Sequence, residues 1–175
     1  GDNRAGQLGE GTTREMSRPV RVITDTKFID VSVGGFHTCA ISTAHLVYCW
    51  GSNVSGEIGD GTTTNRIAPT LIALPESAVS VSAGDGLTCV VGQSGKAWCW
   101  GYNAFGQIGD GSTTDRWSPA LVSGIAKFAT LATSGTHTCG IAVDGYAWCW
   151  GRNVTGEVGD GTTAPRMNPT KVRGE

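Results

Sequence analysis

The chain has 175 residues, 27 of them glycine and six tryptophan, with 16% charged side chains and a formal net charge of −2. That balance lacks the clustered Lys and Arg that hold a nucleic-acid backbone, so no nucleic-acid partner is expected. No apolar run approaches the ~18 residues of a membrane span, so no span is expected either.

Along the chain the same signals return every 50 residues. The first is a glycine-rich motif from Asn3 to Thr12, followed by Pro19. An alternating run from Phe28 to Val33 leads to Thr38-Cys39 and then to Cys49-Trp50-Gly51. Next come Asn53 to Thr62, with the pattern Gly-x-x-Gly-Asp-Gly, and Pro69. The second copy repeats this as Cys89, Cys99-Trp100-Gly101, Asn103 to Ser112 and Pro119. The third has Cys139, Cys149-Trp150-Gly151, Asn153 to Thr162 and Pro169. No insertion or deletion breaks the spacing. The whole chain, 1–175, is therefore one repeat region, with repeats at about 19–68, 69–118 and 119–168 and partial copies at 1–18 and 169–175. Because Gly1 falls inside a motif that recurs, the chain reads as a processed product or a fragment.

Each repeat contains four strand-like runs bounded by Gly, Pro, Ser or Asp. In the second copy these are Thr70 to Ala73, Ala78 to Ser82, Leu87 to Val91 and Lys96 to Trp100; Ala120 to Ser123 repeats the first of them. Four short strands per unit of ~40–50 residues predict an all-β fold, with β-propeller blades of four antiparallel strands. On this reading the glycine-rich stretch between Gly51 and Pro69 joins one blade to the next.

The turn between the third and fourth runs is specific enough to set a register. Gln93-Ser94-Gly95 and Val143-Asp144-Gly145 end in glycine, as a type I turn with a G1 bulge requires. With Gly92 and Lys96 closing the turn, Cys89 falls opposite Cys99, and the same count pairs Cys39 with Cys49 and Cys139 with Cys149. These are non-hydrogen-bonded positions with Cα atoms ~4.5 Å apart, within disulfide reach. Disulfides imply an oxidising compartment and ~2–3 kcal/mol each in the chain-entropy picture. Zinc would want four close ligands, and buried free thiols are the remaining alternative. His45 stands at the glycine position of the first turn, so strain is expected there. The same alternation puts Trp98 and Trp100 on one blade face and Ala97 and Cys99 on the other, which suits packing between blades.

The run His37-Thr38-Cys39-Ala40, then Cys49-Trp50-Gly51-x-Asn53-x-x-Gly56-Glu57-Ile58-Gly59-Asp60-Gly61, resembles the repeat of the regulator-of-chromosome-condensation family. The resemblance covers essentially the whole chain and implies a seven-bladed propeller. Three blades cannot close such a ring, so a longer native chain or several copies would complete it. It also implies a set of possible functions: nucleotide exchange on a small GTPase, chromatin binding, ultraviolet sensing, or secreted inhibition of β-lactamase. Fold alone does not choose among them. No wedge-like insertion of the exchange-factor kind is present, and no basic tail. The residues before the His position are Phe36, Gly86 and Thr136, none of them the tryptophan of the photoreceptors. The paired cysteines resemble those of bacterial and extracellular members.

Other motifs read as structural. Gly-Asp-Gly-Thr lacks the alternating acids of a calcium loop and the lysine of a P-loop. Arg66, Arg116 and Arg166 recur six residues after Asp60, Asp110 and Asp160 and predict a repeated ion pair or backbone clamp rather than substrate binding. Asn53 and Asn153 begin glycosylation sequons, but the same Asn recurs at Asn3 and Asn103 without one. No catalytic set stands out, so no enzyme activity, cofactor or metal site is expected.

Recognition is expected where the repeats differ, in loops. Tyr102, Phe105, Trp117 and Arg152 are the candidates; Ser52 and Arg152 are the counterparts of Tyr102, and Ile67 and Met167 those of Trp117. The expected function is a secreted or cell-surface scaffold that binds a protein partner or its own copies. The alternative is an exchange-factor-like regulator of a small GTPase.

Overall fold

The computed structural model describes residues 1–124 and 127–173. Residues 125–126 of the third repeat and 174–175 of the last partial copy lie outside them. Twelve strands form three antiparallel sheets of four. The first is β1 (Phe28–Val33), β2 (His37–Ser42), β3 (Val47–Gly51) and β4 (Arg66–Ile72), paired in that order. The second is β5 (Ala78–Ala83), β6 (Leu87–Gly92), β7 (Ala97–Gly101) and β8 (Arg116–Leu121). The third is β9 (Phe128–Thr133), β10 (His137–Ala142), β11 (Ala147–Gly151) and β12 (Arg166–Lys171). The sheets are propeller blades. Strands β1, β5 and β9 pack side by side at the inner edge, and β4, β8 and β12 form the outer edge.

Sheet order corrects one expectation. The run after each proline does not open the next blade; it closes the same one, since β4 pairs with β3 and β8 with β7. The glycine-rich stretch from Gly51 to Pro69 therefore lies within a blade, and residues 73–77 make the passage to the next. The outermost strand accommodates the proline where its register with the third strand shifts, between the Cys49–Thr70 and Gly51–Arg66 pairs, so the missing N–H donor leaves no inner partner unpaired.

The stretch still joins blades, by packing rather than by covalent order. Ile58 is fully buried in a cluster that takes Ile41, Val47, Cys39 and Cys49 from the first blade and Val90, Trp98 and Trp100 from the second. Trp100 Nε1 donates to the carbonyl of Glu57 at 2.9 Å, and Trp150 does the same to Gln107 at 2.9 Å. Burying one such indole contributes on the order of 3 kcal/mol. Gly59 makes the approach possible: a Cβ there would lie 2.4 Å from the Trp100 indole nitrogen, and its φ of +87° also excludes most side chains. The N-terminal copy lies on the first blade in the same way, with Trp50 Nε1 donating to Gln7 O at 3.0 Å. The expected role of the tryptophans in packing between blades is what the fold shows.

A second cluster joins blades two and three through Leu87, Cys89, Val91, Cys99, Phe128, Leu131 and Trp150. The same face is left open on the first blade: Val31 is 62% exposed, whereas Leu131, at the same position two blades later, packs on the second blade and is 8% exposed.

Candidate functional site

The three cysteine pairs are disulfides, Cys39–Cys49, Cys89–Cys99 and Cys139–Cys149, and no described cysteine is free. Each joins directly opposed residues of the second and third strands with Cα atoms 4.1 Å apart. The register counted from the turn is thus the observed one: Gly92 N donates to Lys96 O at 2.9 Å. His45 has φ 60° and is the single non-glycine with positive φ among the described residues.

The Asn-to-Thr motif is a self-contained loop lock. Asn53 is fully buried; its Nδ2 donates to the carbonyls of Thr62 and Thr64 at 3.0 Å, and its Oδ1 accepts from Ile58 N at 2.9 Å. Asn153 is equally buried and bonded, so in the folded chain both sequon amides are committed to backbone. The expected ion pairs form: Asp60 with Arg66, Asp110 with Arg116 and Asp160 with Arg166. Burial alone would raise the carboxyls of Asp60 and Asp110. The hydroxyl of Thr62 or Ser112 and the arginine outweigh it, and both titrate below the ordinary value. The N-terminal copy has Glu10 and Met16 at these places and no such clamp.

Functional candidates sort by position. Trp117 is 52% exposed at the second position of the outermost strand β8. Its Cα and indole press on Gly56, and its carbonyl accepts from Gly61 N at 2.8 Å. Ile67 and Met167 meet Gly6 and Gly106 in the same way, so this large residue covers the preceding loop. Arg152 pairs with Glu157 through Nη1. Its backbone N donates to Thr136 O at 2.9 Å, on the same loop face as Tyr102 N to Gly86 O at 2.8 Å.

Tyr102 and Phe105 do come together, edge to face with centroids 6.3 Å apart. They line a cavity of about 340 Å³ on the loop face, together with Phe36, Val54, Glu57, Asp85 and Thr136 among others. Inter-blade contacts hold the place: Gly35 N donates to Gly84 O at 3.3 Å, and Gln107 Nε2 to Gly135 O at 3.1 Å. Glu57 is 2% exposed; its carboxylate accepts from Ser52 Oγ at 2.6 Å and Ser55 N at 2.8 Å. Sequence reasoning missed Phe36, Glu57 and Asp85. A usable signal was present, since Asp85 stands where the other copies have Gly35 and Gly135.

Behind the cavity, His37 is 1% exposed. Its Nε2 meets Thr88 Oγ1 at 2.8 Å, and the Thr88 hydroxyl donates to Glu57 O at 2.8 Å. The hydroxyl proton is spent there, so Nε2–H is the donor and Nδ1 is a bare, buried acceptor. Burial lowers its pKa from 6.5 to about 4, against the pull of Glu57 and Asp85. In the third blade His137 Nδ1 meets Ser134 Oγ at 3.1 Å; the first blade has Gly34 there.

No group of described side chains has the make-up of a metal site, and no described helix is long and apolar enough to cross a membrane. A sequence profile described as "Regulator of chromosome condensation (RCC1) repeat" matches residues 1–41, 45–91 and 94–141. No curated protein sequence matches the chain. Among solved structures, human WBSCR16 superposes with TM-score 0.85 at 22% identity, over 98% of this chain and 46% of that one. Yeast RCC1 (Prp20), solved with Kap60 bound to it, superposes with TM-score 0.84 at 22% identity, over 99% and 44%. The ectodomain of the Physcomitrella patens receptor kinase CR4 gives 0.55 at 22% identity, over 77% and 32%. The chain spans less than half the length of each of these three chains.

Proposed function

We propose, from the premise that this chain belongs to the regulator of chromosome condensation (RCC1) repeat family, that it is a non-enzymatic binding scaffold. It acts outside the cell or at its surface and engages a protein through its loop face. The observation that carries the reading is the loop-face cavity. It gathers residues at which the repeats differ, while the residues they share are used up in packing and loop locks. Large aromatic side chains held half-open on a rigid scaffold are the kind of group that anchors a protein partner.

The compartment rests on the three disulfides, which persist in oxidising surroundings. Intact mass from the native source, with and without reductant, tests it: a gain of roughly six mass units on reduction fits three disulfides. No gain would mean reduced thiols and would end the extracellular reading.

Ring completion belongs to the same proposal. Val31 and Val33 are exposed on the first blade, and a small apolar hollow lined by Leu131, Cys139, Ile141 and Ala147 opens on the third. Their counterparts are covered by a neighbouring blade wherever one is present, so further blades, in a longer chain or a second copy, would cover them.

Association of the wild type with its partner or its own copies, compared with Tyr102→Ser/Phe105→Ser, tests the binding surface. Weaker association with an unchanged fold supports it; unchanged association removes both residues. The competing reading, nucleotide exchange on a small GTPase, draws on the shared fold alone. It predicts accelerated nucleotide release, and a flat release assay ends it.

A further inference from the structure

Two features of the loop-face cavity bear on what it can hold. Phe36, Tyr102 and Phe105 supply aromatic surface, and Phe36 is 53% exposed. Glu57 and Asp85 supply carboxylates, and neither pairs with a Lys or Arg among the described residues, whose ion pairs engage other acids. Asp85 is exposed, while Glu57 is nearly closed off and receives only a hydroxyl and a backbone N–H.

The third repeat shows what this arrangement accepts. Glu157 is the counterpart of Glu57 and receives the Thr155 backbone N–H as Glu57 receives that of Ser55. Where the first repeat has Ser52, the third has Arg152, whose guanidinium lies on the Glu157 carboxylate. One copy of the loop thus carries its own arginine, and the other, with serine in its place, opens onto an aromatic-walled cavity without a cation.

We infer that the cavity between Phe36, Tyr102, Phe105, Glu57 and Asp85 is a socket for an arginine side chain of a protein partner, which takes at Glu57 the place that Arg152 fills at Glu157. The inference rests on the reading of the loop face as a binding surface and names the chemistry of what it binds. A guanidinium matches both features, stacking on aromatic faces and bonding carboxylates. The volume of about 340 Å³ lies at the small end of ligand pockets and suits one long side chain. A sugar would also stack on the rings, but its hydroxyls are neutral, whereas two carboxylates without a cation favour a positively charged group.

The test is a titration of the protein with acetyl-Gly-Gly-Arg-Gly-Gly-amide, followed by heteronuclear NMR, beside the same peptide with uncharged, isosteric citrulline. Expected are saturable shifts centred on Phe36, Glu57, Asp85, Tyr102 and Phe105, at about millimolar affinity for a single anchored side chain. Affinity should fall as salt rises. Asp85→Asn, at an exposed position that leaves the fold alone, should weaken binding about tenfold. Tyr102→Ser should weaken it about threefold or more. No saturable shift, an equal response to citrulline, or an unchanged affinity in Asp85→Asn would overturn the inference. So would chitobiose shifting the same resonances when the arginine peptide does not, which would reassign the cavity to a sugar. If Tyr102→Ser/Phe105→Ser abolishes partner association while the arginine peptide fails to bind, the scaffold reading stands and this one falls.

Discussion

The glycine-rich loops of the second and third blades are nearly the same object in different company. Gly106 and Gly156 have φ of +79° and +87°. A Cβ on Gly106 would meet Met167 at 2.7 Å, whereas one on Gly156 would meet nothing within 4 Å. The difference lies in the neighbour: the second loop lies on the third blade, and among the described residues nothing lies against the third loop at Gly156. In a propeller the demand on a residue comes from the adjacent repeat as much as from its own. Identical sequence motifs therefore carry unequal energetic weight.

The largest effect should come from the centre of the array. Gly106→Ala combines left-handed strain with a clash against the Met167 backbone, whose Cα would be 2.8 Å away. It should cost about 3 kcal/mol or more in denaturant midpoint. Gly156→Ala should cost only the conformational strain, about 1 kcal/mol. Equal losses would show that the third loop is covered in the native protein, as a completed ring requires.

Replacing Cys89 and Cys99 together by alanine should lower stability by about 3 kcal/mol in the chain-entropy picture. The same change at Cys139 and Cys149 should give a similar loss, because each pair closes a separation of 10 residues. A much smaller loss at either site would place the stabilisation in packing rather than in the unfolded chain.

His37 and Leu87 occupy equivalent places and sharpen the comparison by pH. Unfolded, His37 titrates at 6.5; folded, burial holds it near 4. Its folded pKa is depressed, so the neutral form is the one the fold accepts. This contribution is complete above pH 6.5, is lost as pH falls from 6.5 towards 4, and does not change further below that. The loss is on the order of 3 kcal/mol. His37→Leu, which copies the second blade, should remove that slope from the urea midpoint between pH 6.5 and 4. If the variant keeps the full slope, other groups carry it.

The smallest effect belongs to the loop clamp. Arg116→Ala should cost about 1 kcal/mol, because the Arg116 side chain is 42% exposed and solvent screens the pair. Thermal unfolding would read it, and a loss as large as that of Gly106→Ala would mean that the clamp organises the whole loop.

Much of this was legible in the chain. The cysteine register followed from a three-residue turn and a period of two, since an antiparallel hairpin leaves one way to count. The tryptophan faces followed from the same alternation. The order of strands within a blade was not legible, because period and boundary are different things. A repeat can be cut anywhere, and only the ladder between β3 and β4 shows that the post-proline strand ends a blade rather than beginning one. The site was half legible. Tyr102 and Phe105 stood out as large residues in variable loop positions, but Trp117 had the same signature and lies on the outer strand, covering Gly56.

The amino-acid sequence by itself determined the all-β class, the four-stranded unit, the disulfide pairing and the loop ion pairs. All of these depend on interactions inside one 50-residue copy. Tertiary structure alone decided which copies touch, which faces are left uncovered, and that Phe36, Glu57, Asp85, Tyr102 and Phe105 share one cavity. Those residues come from two neighbouring blades, and their meeting depends on the fan of sheets about the inner strands, which no local period records.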